Sequence, residues 1–229
     1  MATSLHQQLK QQYVADSDRH EVTLEGFRID AVDRKGRLIE VQCASLAAIR
    51  DKIRTLLENH KVIVVKPLAS RKRIVTLKAA NGEPVSSRYS PIRQQASHIF
   101  LELVHFGVFP HPRLQLDVVL TEQQEIRVPP TARSSWKKRY SVRDRMLVNV
   151  EQTIRLKTAN DLWDILEAEV PEVFTTEDLA TIAGIPRWLA QKAAWCFRRM
   201  DFLTVCGKRG NSLEYRMSTT VVKRKRKAG

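Results

Sequence analysis

Residues 27–45 read FRIDAVDRKGRLIEVQCAS. Two short runs, Phe27 to Val32 and Leu38 to Cys43, alternate in the period of a strand. They are joined by Asp33-Arg34-Lys35-Gly36, a hairpin turn. Successive strand side chains point to opposite faces, so Glu40 and Gln42 share one face while Ile39, Val41 and Cys43 share the other. An antiparallel pairing through this turn brings Asp30 near Glu40. Two carboxylates side by side in a sheet are costly unless something positive lies between them. The polar face therefore reads as facing a cleft that holds a hard divalent cation, since Mg²⁺ is bound through one or two carboxylates and keeps water.

The surrounding pattern supplies the rest of a layered domain. Residues 4–14 read as a helix on Leu5, Leu9 and Tyr13, and His20 to Glu25 as a strand before the Gly26 turn. Ser45 reads as the N-cap of a helix to about His60, with Leu46, Ile49, Ile53, Leu56 and Leu57 as its stripe. Arg50, Lys52 and Arg54 fall off that stripe. Lys61 to Pro67 reads as a strand buried on both faces, and Arg73 to Leu77 as another strand before an Asn81-Gly82 turn. Residues 91–106 read as a helix, and Leu114 to Leu120 and Glu125 to Val128 as strands. Pro129-Pro130 breaks the pattern, and 131–141 reads as a basic linker.

From 142 the spacing of Val142, Met146, Val150 and Ile154 predicts a helix. Thr158 with Asp161, and Thr175 with Asp178, predict capped helices. Gly184 reads as a stop, and Pro186 as the first turn of a third helix over PRWLAQKAAWCFRRM. FLTVC and SLEYRM read as strands joined by a basic tip, GKRGN (207–211).

Composition fits a nucleic-acid ligand. The chain has 229 residues, a formal net charge of +14 and a pI near 10. Such an excess points to a polyanionic partner. It is uneven: 19 Lys+Arg face 14 Asp+Glu in residues 1–130, and 20 face 11 in 131–229. Lys223–Lys227 (KRKRK) lies in a basic tail, 218–229, that reads as disordered. No apolar run nears the roughly 18 residues that span a bilayer. The N-terminus lacks a signal-peptide pattern, so the expectation is a cytoplasmic protein without membrane association. Cys43, Cys196 and Cys206 have no CxxC spacing, which argues against disulfides and a cysteine zinc site. The six histidines show no HExxH pairing.

Residues 142–217 resemble a winged helix-turn-helix domain, on the stretch GIPRWLAQKAAWCFRRMDFLTVCGKRGNSLEYR. That resemblance implies DNA contacts from Arg187, Trp188, Gln191, Lys192, Arg198 and Arg199 on the third helix. Lys208 and Arg209 would act at the wing. Leu189, Ala193, Trp195, Cys196 and Met200 would pack inward. DNA is expected over RNA, because such a helix docks in a B-form major groove.

The helix, three-strand meander, helix and strand of residues 4–67 resemble the PD-(D/E)XK (restriction-endonuclease-like) nuclease superfamily. EVQCAS is also similar to the Glu-x-Gln-x-x-Ser of competence-associated nucleases. The resemblance implies Asp30 and Glu40 as Mg²⁺ (or Mn²⁺) ligands, with Gln42 where lysine is usual. Gln8 or Glu21 would assist, and Lys52 or Arg50 could supply the missing charge. Nucleases of this type are often dimeric, although no sequence feature marks an interface.

The expected fold is therefore mixed α+β. Residues 1–130 would form a nuclease-like domain with an αβββαβ core and an extension over 68–130. A winged-helix domain would follow over 142–217. The expected function is Mg²⁺-dependent DNA cleavage. The alternative is a non-catalytic DNA-binding or regulatory protein with a degenerate nuclease-like domain.

Overall fold

The computed structural model describes residues 3–79, 82–130 and 140–218. Helix α1 (Ser4–Tyr13) is capped by the Thr3 side chain. Strands β1 (His20–Leu24), β2 (Phe27–Val32) and β3 (Leu38–Val41) form an antiparallel meander. A 3-10 turn (Leu46–Ile49), capped by Ser45, leads into α2 (Arg50–Leu56). The chain then crosses over to β4 (Val62–Leu77), which runs parallel to β3 with Ile39 beside Ile63 and Val41 beside Val65.

Strand β6 (Leu114–Val128) lies parallel to β4 on its other side, and β7 (Ser141–Leu156) closes the sheet antiparallel to β6. The order is β1-β2-β3-β4-β6-β7. Strand β5 (Pro84–Tyr89) pairs with the far end of β4, beyond the reach of β3.

Helices cover both faces, so the central strands are apolar on both sides. Leu38, Val62, Val64, Leu116 and Val118 pack with Leu46, Ile53 and Leu56 on one face. Ile39, Val41, Ile63, Val65 and Val119 pack with Leu5 and Leu9 of α1 on the other. All four residues of β3 are buried.

Four expectations are corrected. Residues 114–120 and 125–128 are not separate strands but parts of β6, and residues 61–67 and 73–77 are likewise parts of one 16-residue strand. A bulge between Ala69 and Arg71 absorbs the polar interruption, and Ser70 turns its hydroxyl to the Thr121 carbonyl (3.0 Å). The helix read over 91–106 forms only from Ala96, as a 3-10 turn (Ala96–Ile99) and then α3 (Phe100–Phe106). Its expected first turn is held instead against β4, with Gln94 and Ala69 exchanging two hydrogen bonds. The helix read over 142–154 is strand β7. Residues 142–156 therefore belong to the large sheet and not to the C-terminal unit.

That unit begins at α4 (Ala159–Asp164) and continues through β8 (Phe174–Thr175), α5 (Thr176–Ile182), α6 (Arg187–Arg199) and a hairpin of β9 (Leu203–Arg209) and β10 (Ser212–Met217). Thr158 with Asp161 and Thr175 with Asp178 form capping boxes, and Pro186 occupies the N-cap of α6. Strand β10 pairs with β9 and β8. The unit is packed onto the sheet, since Phe197 of α6 meets Phe100 of α3 edge-on at 5.4 Å. Trp163, Phe174 and Phe202 extend the same apolar cluster. Most of the expected linker (131–139) and of the tail (219–229) lies outside the described residues.

Candidate functional site

The β2–β3 ladder pairs Val32 with Leu38 and Ala31 with Ile39, and continuing that register sets Asp30 across from Glu40. There the backbone bonds give way to side chains. The Asp30 N–H donates to Glu40 Oε1 (3.4 Å), and the Val41 N–H donates to Asp30 Oδ2 (2.8 Å). The two carboxylates thus sit at the point where the ladder opens.

Each has one further partner. His6 Nε2 of α1 lies 3.0 Å from Asp30 Oδ2, while His6 Nδ1 is buried without a hydrogen-bond partner. Lys52 of α2 reaches Glu40 Oε1 at 2.6 Å. Among the described residues, no hydrogen bond reaches Asp30 Oδ1 or Glu40 Oε2.

The environments push the two groups apart. Burial alone would raise the Asp30 carboxyl, but the bonds from His6 and Val41 outweigh it and hold the group below its usual range. For Glu40 burial prevails. It raises the carboxyl against the opposing Lys52 bond and charge, and the negative charge of Asp30 adds to the rise.

The expected cleft face is corrected. Glu40 is only 4% exposed, within the layer that α2 covers. Gln42 has left the strand, and its Oε1 accepts from the Ala44 N–H (3.1 Å) in its own loop. Lys52, not Gln42, stands on Glu40. Gln8 is committed to β7, accepting from the Leu147 N–H (2.8 Å). Glu21 is held by Lys10 and by Arg28 (2.6 Å). Neither Gln8 nor Glu21 bonds to Asp30 or Glu40.

Among the described residues no group of three or more His, Cys, Asp or Glu side chains is arranged to hold a metal ion. Two carboxylates, each with one uncommitted oxygen, are the donor set present. That set fits a hard cation which keeps most of its waters.

In the C-terminal unit, Arg187, Trp188, Gln191, Arg198 and Arg199 lie exposed on α6, and Lys192 is half-buried. Trp195, expected to pack inward, is 39% exposed, with the Arg199 guanidinium 5.2 Å from its ring centre. Arg187 pairs with Glu177 (3.3 Å). Lys208 is exposed at the hairpin tip, whereas Arg209 is bound to Asp178 and Glu214 (both 3.1 Å) and ties the hairpin to α5.

Comparison with known proteins defines kinship without an activity. A family model described as a domain of unknown function, DUF8091, matches residues 3–157. The chain belongs to the DUF8091 family. An uncharacterized protein of Treponema pallidum (strain Nichols) is 30% identical over 216 residues, covering 93% of this chain and 84% of the relative. No solved structure matches. The family match ends one residue after β7, where the structure places the end of the sheet.

Sequence reasoning missed three residues around the site. His6 was readable only as one of six unpaired histidines. Lys66, 4% exposed, binds Glu102 of α3 (2.9 Å) and the Ala44 carbonyl. The other oxygen of Glu102 accepts the Leu46 N–H (2.8 Å). A lysine closing the apolar run KVIVVK was the available signal, because a buried lysine requires an acidic partner.

Proposed function

We propose that the protein is a divalent-metal-dependent DNA endonuclease that hydrolyses phosphodiester bonds. The single observation that carries this reading is the Asp30–Glu40 pair at the opening of the β2–β3 ladder, with Lys52 beside it. The order of elements supports it: helix, antiparallel meander, helical crossover and parallel fourth strand is the order implied by resemblance to PD-(D/E)XK nucleases.

In this reading Asp30 and Glu40 hold Mg²⁺ or Mn²⁺ through their uncommitted oxygens. The ion, when bound, supplies Lewis-acid polarisation of the phosphodiester. His6 and the Val41 N–H fix the Asp30 carboxylate and favour its charged form. Lys52 supplies the positive charge that glutamine at position 42 does not, close to where negative charge grows during displacement. The Gln42 amide NH₂ has no hydrogen bond among the described residues and can orient a water. The C-terminal unit has the helix and hairpin order of a winged helix. It would hold DNA through Arg187, Gln191, Trp195, Arg198 and Arg199 of α6 and Lys208 of the hairpin, by phosphate contacts that position the duplex.

Two observations favour a second reading. Lys52 already neutralises Glu40, and the Gln42 carbonyl is turned into its own loop. Both suit a non-catalytic DNA-binding protein with a degenerate site. Plasmid and branched DNA incubated with Mg²⁺ or Mn²⁺, beside an Asp30→Ala/Glu40→Ala variant, separates the two. The nuclease reading expects cleavage by the wild type alone. No cleavage by the wild type, or equal cleavage by both, removes it. Duplex affinity that hardly falls with added salt would remove both.

A further inference from the structure

A polar cavity of about 600 Å³ lies at the hairpin end of the sheet on the α1 face. It shares no residue with the Asp30–Glu40 pair. Its wall is built around Asp117, which is 1% exposed. Both Asp117 oxygens are taken: Tyr13 Oη donates to one and Gln115 Nε2 to the other, each at 2.8 Å. Burial, and then Asp117, push the Tyr13 hydroxyl far above its ordinary range, so it stays a neutral donor. Asp117 thus fixes Tyr13 and Gln115 in place and leaves no oxygen free for a ligand.

The cations are placed differently. Arg37 donates through Nε to Asp33 Oδ2 (2.7 Å), while the backbone N–H groups of Lys35 and Arg37 fill Asp33 Oδ1. That clamp holds Arg37 at the cavity and leaves its terminal nitrogens free of hydrogen bonds among the described residues. Arg155 lies across the ladder from Asp117, and Lys157 follows it at the rim. Among the described residues neither makes an ion pair. Three cations therefore face one cavity whose two carboxylates are already satisfied. Three cations against two carboxylates leave a net charge of +1, so the cavity favours an anion, and two of the three are the planar donors that grip phosphate oxygens in pairs. The volume is in the range of small-molecule sites and well beyond a bare phosphate ion.

We propose that this cavity binds a small phosphomonoester. Arg37, Arg155 and Lys157 hold its phosphate, and its hydroxyl-bearing remainder lies against Tyr13 and Gln115.

The test is calorimetric titration of the full chain with inorganic phosphate, ribose 5-phosphate, adenosine 5′-monophosphate and adenosine. The two monoesters should bind more tightly than phosphate, and adenosine should not bind. Arg155→Ala/Lys157→Ala should weaken monoester binding at least tenfold with an unchanged unfolding midpoint, since both side chains are exposed. Asp30→Asn/Glu40→Gln should leave binding intact, whichever way the nuclease assay falls. The proposal is overturned if neither monoester binds at millimolar concentration, or if phosphate binds as tightly as they do. Equal binding by adenosine, or wild-type affinity in the Arg155/Lys157 variant, also overturns it.

Discussion

Replacing Lys52 by alanine leaves Glu40 in place without its cation. The Glu40 side chain is 6% exposed and that of Lys52 20%. Removing one partner of a buried pair costs about 3–5 kcal/mol, because the remaining charge is stranded. Water can partly follow into the space of a side chain that is one-fifth exposed, so a loss of about 2–3 kcal/mol at pH 8 is expected. For a chain of this size that lowers the melting temperature by roughly 5–10 °C.

The pH dependence identifies the cause. The Glu40 carboxyl is already raised in the folded state. The native state therefore binds that proton more tightly than the unfolded chain. Stability from this group is present below the unfolded value of about 4.3, and is lost as pH rises through the folded value. Without Lys52 the folded value rises further, so the deficit is small near about pH 4 and grows to its full size as Glu40 ionises. Urea unfolding followed by circular dichroism at pH 4.5, 6 and 8 measures it, provided the denaturant slope is unchanged. Adding Glu40→Gln should recover much of the loss at pH 8, because no buried charge remains. A deficit below about 0.5 kcal/mol at pH 8, within ordinary surface effects, would refute the reasoning. So would the same deficit at all three pH values.

His6→Ala removes a hydrogen bond that holds the Asp30 carboxyl low. A depressed acid stabilises above its unfolded pKa, so a loss of about 1–2 kcal/mol at pH 6 should shrink as Asp30 protonates below about pH 4 in urea titrations. Phe197→Ala should cost about 3–5 kcal/mol, and calorimetry should show one transition because Phe197 and Phe100 share a core. Arg198→Ala should weaken duplex binding for all sequences alike and lower the salt slope by about one, measured by fluorescence anisotropy. Trp195→Ala should weaken it without changing that slope.

The meander was legible because its turns are marked by Gly26 and by Asp33 to Gly36. The failure at β7 has a definite cause. Val142, Met146, Val150 and Ile154 recur every four residues, a spacing that keeps one face of a helix but is also an even number, so it equally keeps one face of a strand. Pairing with β6 decided between them, and pairing is a long-range fact. At the site, Asp30 opposite Glu40 followed from turn length alone. The Lys52 contact did not, because its position falls off the helix stripe and only the reach of a long side chain brings the ammonium to Glu40. Gln42 lies off the strand because β3 ends two residues earlier than the alternation suggests.

The docking of α6 on α3 bears on where this family can be cut. The stretch shared with DUF8091 stops at residue 157. Phe100, Leu103 and Phe106 inside it are buried in one cluster with Leu189, Ala193 and Phe197 outside it. A chain ended at 157 would present those side chains to water as an adhesive patch. The family model thus spans less than the unit of folding, whereas the Treponema pallidum relative aligns over 93% of the chain. A relative built only of the shared stretch would have to cover this side with a second chain or with a different module.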